Sequence, residues 1–283
     1  MMAQFAELQS RTVGDFKITF IADGGGLIEP TAMYPASAKK GWGDYAHLLD
    51  DQGRLVVTIG GFLIETGDQN ILLDLGFGPM TVDFPGFGPF IGGKFMESFA
   101  QTGLTADQIT QVVYSHLHLD HVGWTSQEVD GKQVLSFPNA RYLCTQAEWD
   151  FWQADETGMG PNQITVVDPI KDVIEFITAR DELAPGVTVL STPGHTPGHI
   201  SLRLDAGDQV VYLIVDLLHS EAQFKEADWS VAFDIDPVQG RTTREGIYAE
   251  LAQPNVLVAD GHFSNSVFGR LSHENGQWIW QAE

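Results

Sequence analysis

The sequence predicts an α/β protein in which helices lie on the outside of two packed β-sheets. Short apolar runs typical of buried strands recur along the chain, and helical segments separate them in two similar series. Hydrophobic residues make up 43% of the 283 residues and charged residues only 19%, a composition typical of globular proteins. We therefore expect one domain, residues 1–283, built from two αβ halves.

The first half of the chain carries the clearest strand signals. Residues 16–23 form a mostly apolar run that ends at three glycines, which predicts a strand followed by a turn. Leu55–Thr66 and residues 70–74 are apolar runs separated by a Gly-Asp-Gln turn, which predicts a hairpin. The other predicted elements of this half are a short helix at 45–49, strands at 111–115 and 140–144, and an aromatic-rich helix at 147–155.

The second half of the chain continues with shorter apolar runs. Strands are predicted at 187–190, 199–204, 209–215 and Val256–Ala259, with β-like residues at 276–280. Residues 242–252 have the apolar spacing of an amphipathic helix. Strands and helices therefore occur in both halves of the chain.

Residues 76–93 differ from the segments around them. They include six glycines, three prolines and four phenylalanines. Glycine and proline at this density exclude a helix interior and a central strand, so the sequence predicts a long loop. Linkers are seldom this apolar, which favours a lid or a wall of a substrate site. The alternative is a contact with a second subunit or a satellite hydrophobic cluster.

The charge of the chain excludes several classes of partner. Lys and Arg number 15 against 38 Asp and Glu, which gives a formal net charge of −23 at pH 7. Nucleic acids and anionic membranes are bound by clustered basic residues, so we expect neither as a partner. The N-terminal residues lack a signal-peptide pattern, and there is no run of about 18 apolar residues that could span a membrane. These observations predict a cytoplasmic protein.

Four potential metal ligands lie within six residues just after the predicted strand at 111–115. His116 and His118 are two residues apart, so they project from one side of an extended segment, and Asp120 and His121 follow in the turn. Burying several imidazoles beside a carboxylate is costly unless a cation holds them together. The pattern His-x-His-x-Asp-His therefore predicts a metal site at the end of this strand.

Three more candidate ligands also follow predicted strands. His195 lies in a loop of glycines and prolines that can aim one imidazole, Asp216 ends an apolar run, and His262 follows another. An unpaired carboxylate at the end of a buried strand is costly, and a metal ion is a natural partner for it. The remaining histidines are predicted to have other roles: a hydrogen bond within its own loop for His199, and surface positions for His47, His219 and His273.

In these motifs the chain resembles the metallo-β-lactamase superfamily. The resemblance rests on His-Leu-His-Leu-Asp-His at 116–121, Thr-Pro-Gly-His-Thr-Pro-Gly-His at 192–199, Asp216 and Gly-His at 261–262, supported by Ile-Leu-Leu-Asp-Leu-Gly at 71–76. These pieces occur in the family's order and cover nearly the whole chain. The resemblance implies a four-layer αβ/βα sandwich with metal ions at one edge of its two sheets.

The resemblance also implies a site for two divalent metal ions. The family pattern assigns one ion to His116, His118 and His195 and the other to Asp120, His121 and His262, with Asp216 bridging the two. Imidazoles with a few carboxylates suit Zn²⁺ first and also tolerate Mn, Fe or Co.

Three further residues are interpreted by the same pattern. His118 stands where the di-iron branch of the superfamily carries an acidic residue, which argues against redox chemistry. Cys144 is the single cysteine, so an internal disulfide is excluded; it matches no ligand position and is expected in the core. Asp74 is expected to orient a ligand imidazole through its second ring nitrogen.

Within the superfamily, the chain resembles the N-acyl-homoserine lactonases and the methyl parathion hydrolase-like enzymes. This implies a hydrolase that opens a small neutral ester or lactone with a hydroxide held between the metal ions, while Asp120 orients the hydroxide and relays its proton. His219 stands where the lactonases typically carry a tyrosine, and it either donates a hydrogen bond to the oxyanion or points away. Phe84, Phe87 and Phe90 offer apolar surface for an acyl chain or an aromatic leaving group.

Three alternatives to a lactonase stay open on the sequence alone. An organophosphate triester hydrolase would use the same metal ions and the same apolar surface. A glyoxalase II-like thioesterase would require basic residues near the C-terminus, where only Arg270 follows His262. A metal-binding regulator without activity is disfavoured by the complete ligand set. The oligomeric state is also open, and a homodimer is one of the options.

Overall fold

The computed structural model of the chain describes residues 2–154 and 157–283. Within these residues the strands are, in chain order, β1 (Gln9–Val13), β2 (Phe16–Ile28), β3 (Leu55–Thr66), β4 (Gln69–Leu73), β5 (Thr81–Phe84), β6 (Gly88–Ile91), β7 (Gln111–Val113), β8 (Ser126–Val129), β9 (Lys132–Leu135), β10 (Arg141–Thr145), β11 (Ile174–Ile177), β12 (Glu182–Ala184), β13 (Val187–Ser191), β14 (Ile200–Ala206), β15 (Gln209–Leu213), β16 (Val256–Ala259), β17 (Phe268–Glu274) and β18 (Gln277–Ala282).

These strands form two large sheets and one small hairpin. The larger sheet has the order β11-β10-β7-β4-β3-β2-β6-β5, and β1 pairs with the first half of β2. The smaller sheet has the order β12-β13-β14-β15-β16-β17-β18, and β8 pairs only with β9. The α-helices of the described residues are α1 (Pro30–Met33), α2 (Phe95–Ala100), α3 (Gln146–Gln153), α4 (Asp168–Ile170) and α5 (Pro237–Leu251).

The apolar faces of the two sheets pack against each other and form the central core. Phe62, Leu73 and Val113 of the larger sheet belong to the same buried cluster as Leu202 and Leu213 of the smaller sheet. Burial of these side chains is the main favourable contribution to packing the sheets together.

Helices cover the outer face of each sheet. Phe95 of α2 and Trp152 of α3 pack in a buried cluster on the larger sheet. Cys144 is buried in the same cluster. Tyr248 and Leu251 of α5 pack on the smaller sheet. The layers are therefore helix, sheet, sheet and helix, which confirms the predicted four-layer αβ/βα sandwich.

Parallel pairing brings the carboxyl ends of several strands to the same edge. β4 and β7 are parallel, with Leu73 opposite Val113, and β7 is also parallel to β10. In the smaller sheet β15 and β16 are parallel, with Leu213 opposite Ala259. Because parallel strands end at the same edge of a sheet, the segments that follow them lie side by side. The motif at 116–121, Asp216 and His262 all lie on such segments.

The structure corrects the prediction of a long loop at 76–93. This segment contains β5 and β6, which pair as an antiparallel hairpin, with Asp83 opposite Pro89. β6 pairs with β2 over only two residue pairs, and β5 is the last strand of the sheet. Pro89 is tolerated in β6 because it lies outside the two residue pairs that join β6 to β2, so its missing N–H group leaves no bond to β2 unmade.

Several predicted helix bounds were also wrong. The predicted helix at 45–49 is a 3₁₀ helix over Gly43–Leu48. α5 begins at Pro237, five residues before the predicted start, because Asp236 caps it by accepting from the backbone N–H groups of Val238 and Gln239. The predicted end of the α3 helix at residue 155 lies outside the described residues.

The sequence did not predict β1, β8, β9, β11, β12 and β17. The first five have three to five residues and expose part of their length, so their apolar runs are too short to be distinguished from loops. β17 has seven residues, but polar residues interrupt its apolar positions and its last two residues are exposed. Among the described residues, no helix is long and apolar enough to cross a membrane.

Candidate metal centre

The loops after β7 and β13 bring three imidazoles together. The Nε2 atom of His116 lies 2.9 Å from the Nδ1 atom of His118, and the Nε2 atom of His195 lies 2.8 Å from that same Nδ1. All three side chains are buried. Together with Asp216 they form one of the groups in the described chain that could hold a metal ion.

A second group lies beside the first. The Nε2 atom of His121 is 3.7 Å from Asp120 Oδ2, and His121 and His262 approach each other with ring centroids 5.5 Å apart. Asp120 is the most exposed of the candidate ligands, with 18% of its side chain accessible. One potential ligand atom of each of Asp120, His121 and His262 lies within 4.8 Å of the others, so this group could also hold a metal ion.

Asp216 lies between the two groups. Its Oδ1 faces His121 and His262, at 3.2 and 3.0 Å from their Nε2 atoms. Its Oδ2 faces the other group, at 3.6 Å from His116 Nε2 and 3.2 Å from His195 Nε2. A carboxylate in this position can contact two ions at once.

The backbone just before Asp216 is strained. Val215 has a φ of +47°, which is rare for a β-branched residue. Backbone strain of this kind persists where the surrounding structure holds a functional side chain in place. The strain here accompanies the placement of the Asp216 carboxylate between the two groups.

His219 is in the site, and the prediction of a surface position was wrong. Its side chain is buried, and its Nε2 lies 3.1 Å from Asp216 Oδ2. Its ring stacks on that of His262 at 4.9 Å with 10° between the planes. The polar residues that follow it in the sequence gave no sign of this burial. His47 and His273 are on the surface, as predicted.

Asp74 orients imidazoles of both groups. The Nδ1–H of His121 donates to Asp74 Oδ2 over 2.9 Å. The hydroxyl of Ser115 also donates to Asp74 Oδ2, and the Nδ1–H of His116 lies 2.9 Å from that hydroxyl oxygen. With these nitrogens occupied, the Nε2 atoms of both rings are turned towards Asp216. The structure therefore bears out the predicted orienting role of Asp74.

Two orienting partners were missed by the sequence analysis. The Nδ1–H of His195 donates to Asp234 Oδ1 over 2.9 Å, and the Nδ1–H of His262 donates to the backbone carbonyl of Thr58 over 2.7 Å. Asp234 follows an apolar run at 231–233, which is the one sequence signal that pointed to it. A backbone carbonyl has no sequence signal.

Glu148 joins the two loops that carry the candidate ligands. Its buried carboxylate accepts from the backbone N–H of Leu117 at 3.0 Å and from that of Gly198 at 2.9 Å. It also accepts from the hydroxyl of Thr196 at 2.7 Å.

His199 hydrogen-bonds to Thr192 within its own loop, as predicted.

The carboxylate and the imidazoles shift one another's protonation. Burial acts to raise the pKa of Asp216, but the neighbouring imidazoles outweigh it and hold that pKa well below its usual range. Burial acts to lower the pKa of His195 and of His262, but their carboxylate partners raise each to about 9. Burial and the neighbouring imidazoles lower the pKa of His116 and His118 well below the usual range.

The donor set fits a metal ion. The Nε2 atoms of His121 and His262 and the Oδ1 atom of Asp216 are buried and have no hydrogen-bond partner among the described residues. Buried polar atoms without partners are rare in native proteins, and here they face one another. Imidazole nitrogen and carboxylate oxygen are the ligands that Zn²⁺ and similar divalent ions prefer.

Replacing Asp74 with asparagine is expected to lower metal affinity about 10–100-fold, because such orienting partners typically contribute that much. The amide would keep the shape but present an N–H₂ group where Ser115 and His121 now donate. The affinity would be measured by competition with a chromogenic chelator. Asp68→Asn, an exposed change at the other end of β4, is the control. Equal affinities of the two variants would contradict the orienting role.

A cavity of about 250 Å³ opens above these residues. Its floor and walls are formed by Ile28, Met33, Val57, Phe84, Pro85, Phe87, Phe90, His118, Leu119, Asp120, Met159, His195, Asp216, His219, Phe233 and His262. The polar residues of this set belong to the candidate centre and the rest are apolar. Three of the phenylalanines, at 84, 87 and 90, come from the β5–β6 hairpin or its turn.

A two-sheet sandwich that gathers imidazoles and carboxylates at its strand ends is the architecture of a metal-dependent hydrolase. The chain belongs to the metallo-β-lactamase superfamily, whose family model matches residues 61–262.

Known proteins of this superfamily resemble the chain along much of its length. An N-acyl homoserine lactonase of Bacillus sp. is 26% identical over 192 residues, which cover 61% of this chain and 69% of the lactonase. The structure of AidC, described as a dizinc quorum-quenching lactonase, aligns with a TM-score of 0.82 at 22% identity over 99% of this chain and 98% of AidC. The hydrolase AbOPH aligns with a TM-score of 0.81 at 24% identity, over 99% and 98% of the two chains. At these identities the two structures show the fold alone.

Proposed function

We propose that the chain hydrolyses a neutral ester ring, most directly an N-acyl-homoserine lactone, at a centre of two divalent metal ions. The observation that carries this proposal is the cavity, because its apolar walls end at the candidate ligands. Within the described part of the chain, no lysine or arginine lines it. An anionic substrate would need cationic groups, whereas a neutral ring with an apolar acyl chain matches these walls.

The proposed ligands are those that meet in the structure. His116, His118 and His195 would hold one ion, Asp120, His121 and His262 the other, and Asp216 would contact both. Divalent ions bound there, Zn²⁺ before Mn, Fe or Co, would polarise the ester carbonyl and generate a nucleophile from water at neutral pH. The dizinc description of AidC, which shares the fold, supports two ions.

Asp120 is the proposed proton carrier. It lines the cavity and is the candidate ligand most open to it. A carboxylate there can accept a proton from the attacking water and deliver it to the alkoxide that leaves when the ring opens. The product is then a hydroxy acid. Among the described residues, the apolar walls of the cavity offer no positively charged side chain to its carboxylate.

His219 is proposed to hold Asp216 in place. Burial lowers the pKa of His219 to about 4, so its ring is neutral at pH 7 and has one N–H group. With Nε2 at 3.1 Å from Asp216 Oδ2, that N–H is directed at the carboxylate. The Nδ1 atom is then an acceptor and cannot donate to an oxyanion. This geometry favours the second of the two roles considered for His219.

A specific observation favours aryl phosphotriesters as a second candidate substrate. Phe87 stacks on Phe233 at 5.1 Å, and Phe84 meets Phe90 edge to face at 5.3 Å. Aromatic walls of this kind can receive an aromatic leaving group. A phosphotriester is also neutral, so the charge argument does not separate the two candidates.

A substrate panel tests the proposal. N-acyl-homoserine lactones with short and long acyl chains, an aryl phosphotriester and S-lactoylglutathione would be compared on protein loaded with Zn, Mn or Co. We expect a kcat/KM of about 10⁴ M⁻¹s⁻¹ or more on a lactone, within the ordinary range of enzymes. We expect the anionic thioester to be the poorest substrate of the panel.

Three other results of the substrate panel would each change or contradict the proposal. Faster turnover of the phosphotriester than of every lactone would replace the first candidate with the second. Preference for the glutathione thioester would contradict the argument from the uncharged cavity. Metal binding without turnover of any substrate would support a metal-binding protein without hydrolase activity.

A further inference from the structure

Asp23 is a buried carboxylate outside the proposed metal centre. It lies in β2 and its side chain is inaccessible to solvent. Its Oδ2 accepts from the backbone N–H groups of Phe77 and Gly78, at 2.7 and 3.0 Å. Its Oδ1 accepts from the backbone N–H groups of Gly93 and Phe95, at 2.9 and 2.8 Å.

These four donors lie at the two ends of the β5–β6 hairpin. Residues 77 and 78 precede it, and residues 93 and 95 follow it. A fifth donor, the indole N–H of Trp124, lies 3.1 Å from Oδ1 and comes from the loop that follows His121. One carboxylate therefore joins both ends of the hairpin to a loop that carries a candidate ligand.

The glycines of this segment allow the backbone to approach Asp23 so closely. Gly76 has a φ of +59°, and a Cβ atom added there would lie 2.6 Å from Asp23 Oδ2. A Cβ atom at Gly92 would lie 3.0 Å from the same oxygen and 2.3 Å from the carbonyl oxygen of Gly78. The glycine content of 76–93 is thus partly explained by close packing around this carboxylate.

The hairpin has few other attachments to the sheet. Among the described residues, β6 pairs with β2 only at Gly25–Ile91 and Gly26–Phe90. Two further backbone bonds run from Glu29 N–H to Phe87 O and from Lys94 N–H to Asp23 O. The four bonds from residues 77, 78, 93 and 95 to Asp23 are therefore a substantial part of what holds the ends of the hairpin, beside the apolar packing of Phe77 and Phe90. That position matters because Phe84, Phe87 and Phe90 line the cavity.

We propose that Asp23 is a positioning residue that sets the distance of the aromatic wall, Phe84, Phe87 and Phe90, from the metal centre and thereby determines which acyl chains the site accepts. The kinetic part of this inference rests on the proposed function. The placement of the hairpin by Asp23 does not rest on it and can be tested without substrate.

An ionised carboxylate suits this role better than any other side chain. It accepts several hydrogen bonds on two oxygens and has no donor of its own. Asparagine has nearly the same shape but would place an N–H₂ group against two or more N–H donors. Those donors would be buried without a partner, so the ends of the hairpin are expected to separate from β2.

The test compares Asp23→Asn with Asp83→Asn, an exposed change of the same type within the hairpin. Hydrogen exchange of residues 76–95 is measured on both, with KM and kcat for lactones of short and long acyl chain. In Asp23→Asn we expect faster exchange at both ends of the hairpin. We expect KM for the long-chain lactone to rise about tenfold or more, the scale of a lost apolar contact in a specificity pocket. We expect kcat for the short-chain lactone to change less than about threefold, because the metal centre is not altered.

Two further variants keep the inference falsifiable. Trp124→Phe removes only the fifth donor. We expect it to change hydrogen exchange and chain-length selectivity in the same direction as Asp23→Asn, but by a smaller amount. If Asp23→Asn does not fold, Trp124→Phe tests the positioning role in its place. Leu271→Ala, in the cluster under α5, lowers stability far from the hairpin and is expected to leave selectivity unchanged.

Unchanged exchange, unchanged chain-length selectivity in Asp23→Asn, or the same selectivity change in Leu271→Ala would overturn the positioning role. If the unmodified chain turns over no lactone, the proposed function fails, and the exchange measurement alone then decides whether Asp23 holds the hairpin.

Discussion

Replacing Asp216 with alanine is expected to deplete the bound metal and to lower kcat/KM for a lactone about 10³-fold or more, the scale of losing a metal-based transition-state interaction. The reason is the position of the side chain. Oδ1 faces two imidazoles and Oδ2 faces three, all within 3.6 Å. Among the groups of described residues that could hold a metal ion, Asp216 belongs to two, one with His116, His118 and His195 and one with His219 and His262.

The measurement pairs metal analysis of protein purified without chelator with kinetics on the same sample. Asp208→Ala is the matched control, because Asp208 is exposed in the turn that leads into β15, the strand that ends near Asp216. The control should keep its metal and its activity. A metal-depleted Asp216→Ala variant with near-normal kcat/KM would exclude the proposed mechanism.

The second large effect is a steep rise of metal affinity with pH. In the metal-free protein the pKa values of His195 and His262 are raised to about 9, above the usual value for histidine. A raised pKa means that these protons stabilise the fold below about pH 6.5 and that this contribution is lost as pH rises to about 9. A metal ion needs the neutral imidazole, so it must displace these protons.

Between pH 7 and 8 the apparent affinity is therefore expected to rise about tenfold for each displaced proton. That is about 100-fold for His195 and His262, and more with His121, because burial of its ring is outweighed by its carboxylate neighbours, which hold its pKa well above the usual range. The measurement is a chelator competition at each pH, with calorimetry in buffers of different ionisation enthalpy to count the protons. Asp234→Asn removes a partner that raises the pKa of His195 and should flatten the slope. Asp228→Asn, which is exposed, should not. An affinity independent of pH over this range would contradict the assignment of these two histidines.

The candidate ligands could be predicted because each one follows a strand. The sequence shows where an apolar run ends, and parallel pairing brings such ends to one edge. The strand ends marked His116, Asp216 and His262 as candidates, and the family resemblance implied that they meet in one site although they are far apart along the chain. The apolar strands and the amphipathic helix α5 predicted helices outside two packed sheets, and the family resemblance implied the four-layer order.

Apart from Asp74, which the family pattern indicated, the residues around the ligands could not be predicted because their contacts are not local. Asp234 is 39 positions from His195, and Asp23 receives donors from residues 54 to 101 positions away. No periodic pattern marks such a pair. The sequence pattern placed His219 on the surface, and only the family resemblance put it near the site; the stacking on His262 and the contact with Asp216 bury it.

The β5–β6 hairpin within residues 76–93 could not be predicted from the sequence either. Its glycines and prolines correctly excluded a helix and a central strand. They did not reveal that two four-residue strands fit at the edge of the larger sheet, because the pairing partner of β6 is in β2, more than 60 residues earlier. The composition of a segment limits its conformation but does not identify its neighbour.

The central claim is that this chain is a hydrolase whose activity depends on metal held at the strand ends. The most direct measurement is hydrolysis of an N-acyl-homoserine lactone before chelation, after chelation, and during stepwise return of Zn²⁺. The account predicts that activity is lost with the metal, returns in proportion to it, and reaches its plateau at two ions per chain. Full lactone hydrolysis by the metal-free protein, or metal restored without any hydrolysis, would contradict it.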